Sequence, residues 1–210
     1  MVSPTSPRSS AEGTALQGSG AHASGIEIRR VRPDEYASVG RMVRAAYETA
    51  YRLDGGYLAE IEDVAGRDVG AEVLVAEQAG RILGSVTIPR PGERQLSDSR
   101  EDELDVRLLG VAPEARGLGV GAILMSHCAR VARERGLRSV VLHTGEQMLA
   151  AQRLYERLGF VRVPEREFVI TVSDGTRRIF AYRLDLAGGP GEDADSGQDA
   201  EAAPRPAEVA

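Results

Sequence analysis

LDVRLLGVAPEARGLGVG, residues 104–121, is the stretch from which the fold of this 210-residue chain is read. Asp105, Arg107, Leu109 and Val111 alternate with Val106, Leu108 and Gly110. That alternation is the signature of a strand, and it ends where Pro113 removes a backbone donor. Glycines follow at 117, 119 and 121, and Val120, Ile123, Leu124, Cys128 and Val131 then recur at helical spacing. The first amides of a helix have no acceptor within the helix, and the helix dipole adds partial positive charge there. A strand, a glycine turn and a helix start therefore predict a cradle for phosphate groups. Glycine suits it because a Cβ would hold the phosphate off the amides. Arg116 is expected to add a full positive charge at the rim.

Two familiar phosphate-binding patterns do not fit. A dinucleotide fingerprint, GxGxxG, follows the first strand of its domain, whereas here the third glycine comes one residue early and at least three strands precede it. A P-loop requires GxxxxGK[ST], and the chain contains no lysine. On these residues alone a third reading stays open, in which the glycines only let helix and strand pack closely.

The length suits one domain with a sizeable core. Most of the formal charge of −6 lies after Gly188, where six acids face Arg205 alone, so the remainder is close to neutral. That balance offers no electrostatic case for nucleic acid or membrane as a partner. A single cysteine, Cys128, excludes an intramolecular disulfide and points to a reducing compartment; with no signal-peptide apolar run in the first 25 residues and no apolar window of membrane length, a cytoplasmic setting is expected. Cys128 falls on the apolar stripe of its helix, where a small buried hydrophobe is expected rather than a nucleophile. No clustered Cys/His spacing suggests a metal.

Composition divides the chain into a disordered N-terminal tail (1–25), a folded domain (26–186) and an acidic disordered tail (187–210). Within the domain the pattern predicts a strand at 26–31 and a helix opened by Pro33 and broken by Gly55 and Gly56. A weaker helix is expected over Tyr57–Val64, closed by Gly66. Two strands, 72–78 and 81–88, form a hairpin through Ala79 and Gly80. After the decisive stretch come a strand at 139–143 and a helix at 146–158 ended by Gly159. Strands at 160–163, 168–172 and 179–184 follow, the last two bracketing Ser173, Asp174 and Gly175. The strand, helix, strand order around residues 104–143 implies a parallel pair.

The chain resembles the GNAT superfamily of acetyl-CoA-dependent N-acetyltransferases. Val111, Pro113, Arg116, Gly117, Gly119 and Gly121 match the family's [RQ]xxGxG[AG] pyrophosphate turn, and Ala151, Leu154, Tyr155, Gly159 and Phe160 match its AxxLYxxxGF motif. One departure is Met148, where many members carry Asn. The resemblance implies an α/β fold: a single mixed, mostly antiparallel sheet flanked by helices, with the parallel pair at a cofactor cleft. It implies acetyl-CoA as cosubstrate, no metal, and direct transfer to an amine acceptor without an acyl-enzyme. Leu109, Val111, Arg116, Gly117, Leu118, Gly119, Val120, Gly121 and Ala151 would bind the cosubstrate, with a Leu109 or Val111 amide toward the thioester carbonyl. Tyr155 would protonate the leaving thiolate; the alternative is that it merely continues the apolar stripe of its helix. Asp105 is the expected base, since an amine with a pKa near 10 must lose a proton before attack. Glu103, on the same strand face, is the reserve, and a solvated strand end is the alternative for both. His143 reads first as a structural histidine, with acid or base work as the alternative. Tyr47, Tyr51, Tyr57, Asp54, Glu60, Glu62, Glu165, Glu167 and Asp174 would border the acceptor. The competing function is a non-catalytic acyl-CoA-binding sensor, and a homodimer stays open.

Overall fold

In the computed structural model of the chain, residues 25–49, 55–172 and 175–186 are described. The two expected tails, apart from Gly25, lie outside the described residues, as do Tyr51, Asp54 and Asp174. Strand β1 (Glu27–Arg30) leads through a 3-10 turn with proline at its start, Pro33–Glu35, into α1 (Tyr36–Glu48). Gly55 and Gly56 do not break a helix; they begin α2 (Gly55–Glu62). Nor does Gly66 close one. It lies inside α3 (Val64–Gly70), because the Asp63 carboxylate accepts from the Gly66 amide at 2.8 Å and so caps a new helix. The single weak helix expected here is therefore two.

The hairpin of β2 (Ala71–Gln78) and β3 (Arg81–Pro89) turns on Ala79 and Gly80, both at positive φ, the geometry that matches the natural twist of paired strands. Next come β4 (Glu103–Val111), α4 (Val120–Glu134) and β5 (Ser139–Gly145). Helix α5 (Leu149–Arg157) is shorter than expected, because residues 146–148 form a turn onto it. Strands β6 (Val161–Arg162), β7 (Phe168–Val172) and β8 (Gly175–Asp185) complete the domain. They form one sheet in the order β1-β2-β3-β4-β5-β8-β6, with β7 also on β8. Every pairing is antiparallel except β4 with β5, as the fold reading requires. The core under α4 and α5 includes Leu104, Val106, Leu124, Met125, Leu142 and Tyr182. On the opposite face Val39, Val43, Ile61, Val64, Val73 and Val75 bury α1, α2 and α3.

Strand β4 does not keep the alternation its sequence suggests. Ser85 pairs with Gly110 and Thr87 with Arg107, so two steps on β3 oppose three on β4. The extra residue is a bulge, with Leu108 at φ 52 in the left-handed region. Its consequence is an exchange of faces: Leu104 and Val106 belong to the α4 side, while Leu108 packs among the residues of α1 to α3. Gly110 then faces α1, where a Cβ would stand 3.1 Å from Val43 Cγ1. Leu109 and Val111, half-buried, turn to the α4 side.

Candidate active site

The glycine turn is exposed from Arg116 to Gly119. Gly117 and Gly119 both adopt φ 81, which a side chain would strain, and a Cβ on either would meet nothing within 4 Å. These glycines thus serve backbone angle and open approach rather than tight packing. Gly121 is the one that packs, its Cβ position lying 2.9 Å from Leu154 Cδ2 of α5. The Ile123 amide donates to Gly119 at 3.1 Å and closes the first turn of α4, so the amides of Val120, Gly121 and Ala122 precede any intrahelical acceptor. The turn thus sets these amides beside exposed glycines and is open on its outer side.

Arg116 sits differently from its expected place at the rim. Its Nη2 donates to the Ala46 carbonyl at 2.9 Å and to Thr49 Oγ1 at 2.8 Å. A cation there suits the negative end of α1, and it ties the turn to that helix.

Beyond the cradle the sheet opens. Strands β4 and β5 pair only over Glu103–Val106 with Ser139–Leu142, after which β4 stays with β3 and β5 with β8. The Ala112 amide donates to Leu83 of β3 at 2.9 Å. The two-residue period of a strand turns the Val111 and Leu109 amides to the other edge, where no strand pairs with them. A narrow polar arm entering the gap meets those donors.

On the far side of the gap, Ala151 is half-buried and Tyr155 buried, the tyrosine ring 5.8 Å from those of Phe160 and Tyr182. Met148 stands at the N-cap of α5 without a capping side chain and packs toward the α1 to α3 core. Gln152 Nε2 instead holds the turn before α5, donating to the carbonyls of Gly145 at 2.9 Å and Glu146 at 3.0 Å. Nothing in the sequence singles out Gln152, which lies midway along the helix expected over 146–158 and falls in the first turn only because α5 starts at Leu149. Burial pushes the Cys128 thiol up to about 12, in keeping with a core residue.

Of the two expected bases, Glu103 is bonded on both oxygens and Asp105 on Oδ2, its buried Oδ1 having no partner among the described residues. Arg166, which sequence reasoning missed, donates to both Glu103 oxygens at 2.8 and 3.0 Å, and the Arg100 amide adds a bond of 2.9 Å. Burial alone would raise the Glu103 carboxyl, but Arg166 and the amide outweigh it and hold it below the usual carboxylate range. Such a group is a poor proton acceptor. Asp105 is fully buried; its Oδ2 accepts from the Gln95 and Leu96 amides at 2.8 and 3.1 Å, pinning the loop before β4. His143 Nε2 lies 3.1 Å from Asp98 Oδ2 of that same loop. Several acids expected near an acceptor are also paired: Glu60 with Arg107 at 3.2 Å, Glu62 with Arg44 at 2.9 Å, and Glu167 with Arg162 at 2.7 Å.

Among the described residues no cluster of His, Cys, Asp and Glu could hold a metal, and no helix is long and apolar enough to cross a membrane. Comparison with known proteins agrees with the geometry. Mycothiol acetyltransferase of Stackebrandtia nassauensis is 35% identical over 71% of this chain and 49% of its own length. That of Cellulomonas flavigena is 39% identical over 44% of this chain and 27% of its own. The chain thus spans half or less of the length of these two relatives. Among solved structures, yncA of Salmonella typhimurium, determined with its cofactor acetyl-CoA, shares the fold at TM-score 0.56 and 24% identity, over 82% of this chain and all of that one. The ribosomal-protein-S18-alanine N-acetyltransferase of Escherichia coli does so at TM-score 0.58 and 17% identity, over 81% of this chain and 99% of that one. Residues 39–160, the span holding the glycine turn, the strand gap and Tyr155, match the acetyltransferase (GNAT) family, and the chain belongs to that family.

Proposed function

We propose that this protein moves an acetyl group from acetyl-CoA directly to a primary amine, with no acyl-enzyme. One juxtaposition carries the reading: an open glycine turn at a helix start leads into a strand gap lined by unpaired amides, with the helix of Tyr155 on its other side. Gly117, Leu118, Gly119, Val120 and Gly121 would hold the diphosphate through backbone amides, while Arg116 keeps the turn docked on α1. Leu109 and Val111 would orient the thioester carbonyl and stabilise the negative charge it develops. Ala151 would border the arm, and Tyr155 would give the leaving sulfur its proton. Acetyl-CoA supplies the activated acyl group. Glu103 and Asp105 we assign to holding the loop and the turn around the site, on the hydrogen bonds described above.

An acceptor of the mycothiol type is the first to test, since mycothiol names the curated relatives. A cytoplasmic setting and a homodimer belong to the same proposal. The test is differential stabilisation: acetyl-CoA at about 100 times its Kd raises stability by about 2.7 kcal/mol, while NAD and ATP leave it unchanged. Thiol release across a panel of primary amines then separates enzyme from sensor. Equal melting shifts for all three ligands overturn the cosubstrate, and binding without turnover of any amine leaves an acyl-CoA-binding module.

A further inference from the structure

The transfer needs a proton acceptor where the amine enters; Glu103 is paired on both oxygens, while Asp105 is fully buried, its Oδ2 on two backbone amides and its Oδ1 without a partner among the described residues. We infer that His143 is that acceptor and Asp98 its positioning residue, an assignment that rests on the acetyltransferase reading. The last rung between β4 and β5 joins Val106 to Leu142, so His143 is the first residue of β5 past the point where the strands part. It lies two residues on from Val141, the partner of Asp105, and therefore on the same sheet face as Asp105. Leu142 and Tyr155 share the opposite core. Base and acid thus flank the gap from opposite sides of the sheet, one for the incoming amine and one for the departing sulfur.

The imidazole is both reachable and oriented. His143 is the only residue of β5 that is not buried, and its side chain keeps 15% of its exposure. Asp98 fixes Nε2 at 3.1 Å, and Phe168 packs at 5.1 Å with its ring at 83° to the imidazole. When Nε2–H is donated to the carboxylate, the neutral ring carries its lone pair on Nδ1, which has no hydrogen-bond partner among the described residues. The charged groups that face this side of the sheet around His143 include Asp98 from the loop, Glu103, Asp105 and Arg107 from β4, Glu60 from α2, Arg166 from the turn before β7, and Arg183 of β8 opposite Val141; Arg107 is paired with Glu60 at 3.2 Å. Arg166 is taken up by Glu103, and Arg183 Nε lies 2.8 Å from Asp185. An ammonium arriving here gives one proton to Nδ1. Its nitrogen then bonds the acetyl carbon as the acetyl–sulfur bond breaks, and of the two protons the nitrogen loses, one ends on the CoA thiol and one in water.

The test has a spectroscopic and a kinetic arm. The chain holds three histidines, His22, His127 and His143, so carbon-labelled imidazole spectra of the wild type and of His143→Gln identify the His143 ring. Near neutral pH that ring is expected as the Nε2–H tautomer, and the preference is lost in Asp98→Asn. On the amine that gives the fastest thiol release, His143→Gln lowers kcat about 10²- to 10⁴-fold and removes the acid limb of the pH profile, with the KM for acetyl-CoA unchanged. Asp98→Asn lowers kcat less and displaces that limb, and Asp98→Glu restores part of the loss. An Nδ1–H tautomer, or a His143→Gln enzyme that keeps its rate and its acid limb, overturns the assignment. Should His143→Gln fail to fold, the Asp98 pair of variants decides by the same limb. A wild type that acetyl-CoA does not stabilise removes the transferase reading and this assignment with it.

Discussion

At Gly119 the whole site turns on one dihedral angle. Its φ of 81 lies where an L side chain costs about 1–2 kcal/mol, yet the space above is open. Gly119→Ala is therefore expected to fold with a modestly lowered melting temperature and to bind acetyl-CoA more weakly, about tenfold for each 1.4 kcal/mol by which binding is weakened. Calorimetric titration measures it. Tyr155→Phe keeps the buried ring among Phe160 and Tyr182 and removes only the hydroxyl. If the hydroxyl is the acid, kcat falls while the KM for acetyl-CoA holds; an unchanged kcat denies Tyr155 that role. Single residues were unevenly legible. The glycines announced their positive φ because few other residues tolerate it. Arg116 announced only a charge, since the end of α1 that it binds lies some seventy positions earlier in the chain. Leu108 announced nothing, because leucine carries no preference for the left-handed region in which the bulge holds it.

Elements meet through two contacts whose removal has a sign. Gly40 of α1 lies against α2 so closely that a Cβ would stand 2.2 Å from the Glu62 carbonyl oxygen. A rigid backbone atom cannot step aside, so Gly40→Ala is expected to cost about 1–3 kcal/mol, read as a lower midpoint in urea. The second contact joins β4 to the turn before β7 through Glu103 and Arg166. Because Glu103 is held below its ordinary range in the folded state, its stabilisation is present above the unfolded value near 4.3 and is lost as pH falls through the folded one. Glu103→Gln should destabilise by about 3 kcal/mol at neutral pH, because Arg166 is left facing an uncharged amide, and should flatten the acid side of the stability profile. Elements with a strong period, such as α4 and the β2–β3 hairpin, were legible in outline. The split into α2 and α3 was not, since Asp63 as a cap is visible only once the turn geometry is known. The loop that Asp105 holds was equally hidden, because an acid on a strand looks the same whether it faces solvent or a pair of backbone amides.

For the whole molecule, the single parallel pair followed from the strand, helix, strand order around residues 104–143, while the order of the strands in the sheet was not read from the sequence. Nor was the point where that pair ends, because nothing in the residues of β5 says that His143 goes without a partner on β4. Four matched positions are all that hold the β1–β4 half of the sheet edge to edge with the β5–β8 half. The molecule is in effect two pages sewn along a short spine and backed by α4. In deuterated solvent the amides on that spine should be the last to exchange, and those of Leu109 and Val111, on the free margin, the first within β4. Adding acetyl-CoA should slow the margin and leave the spine untouched, so the binding event would be written in two backbone signals of one strand before any acceptor is known.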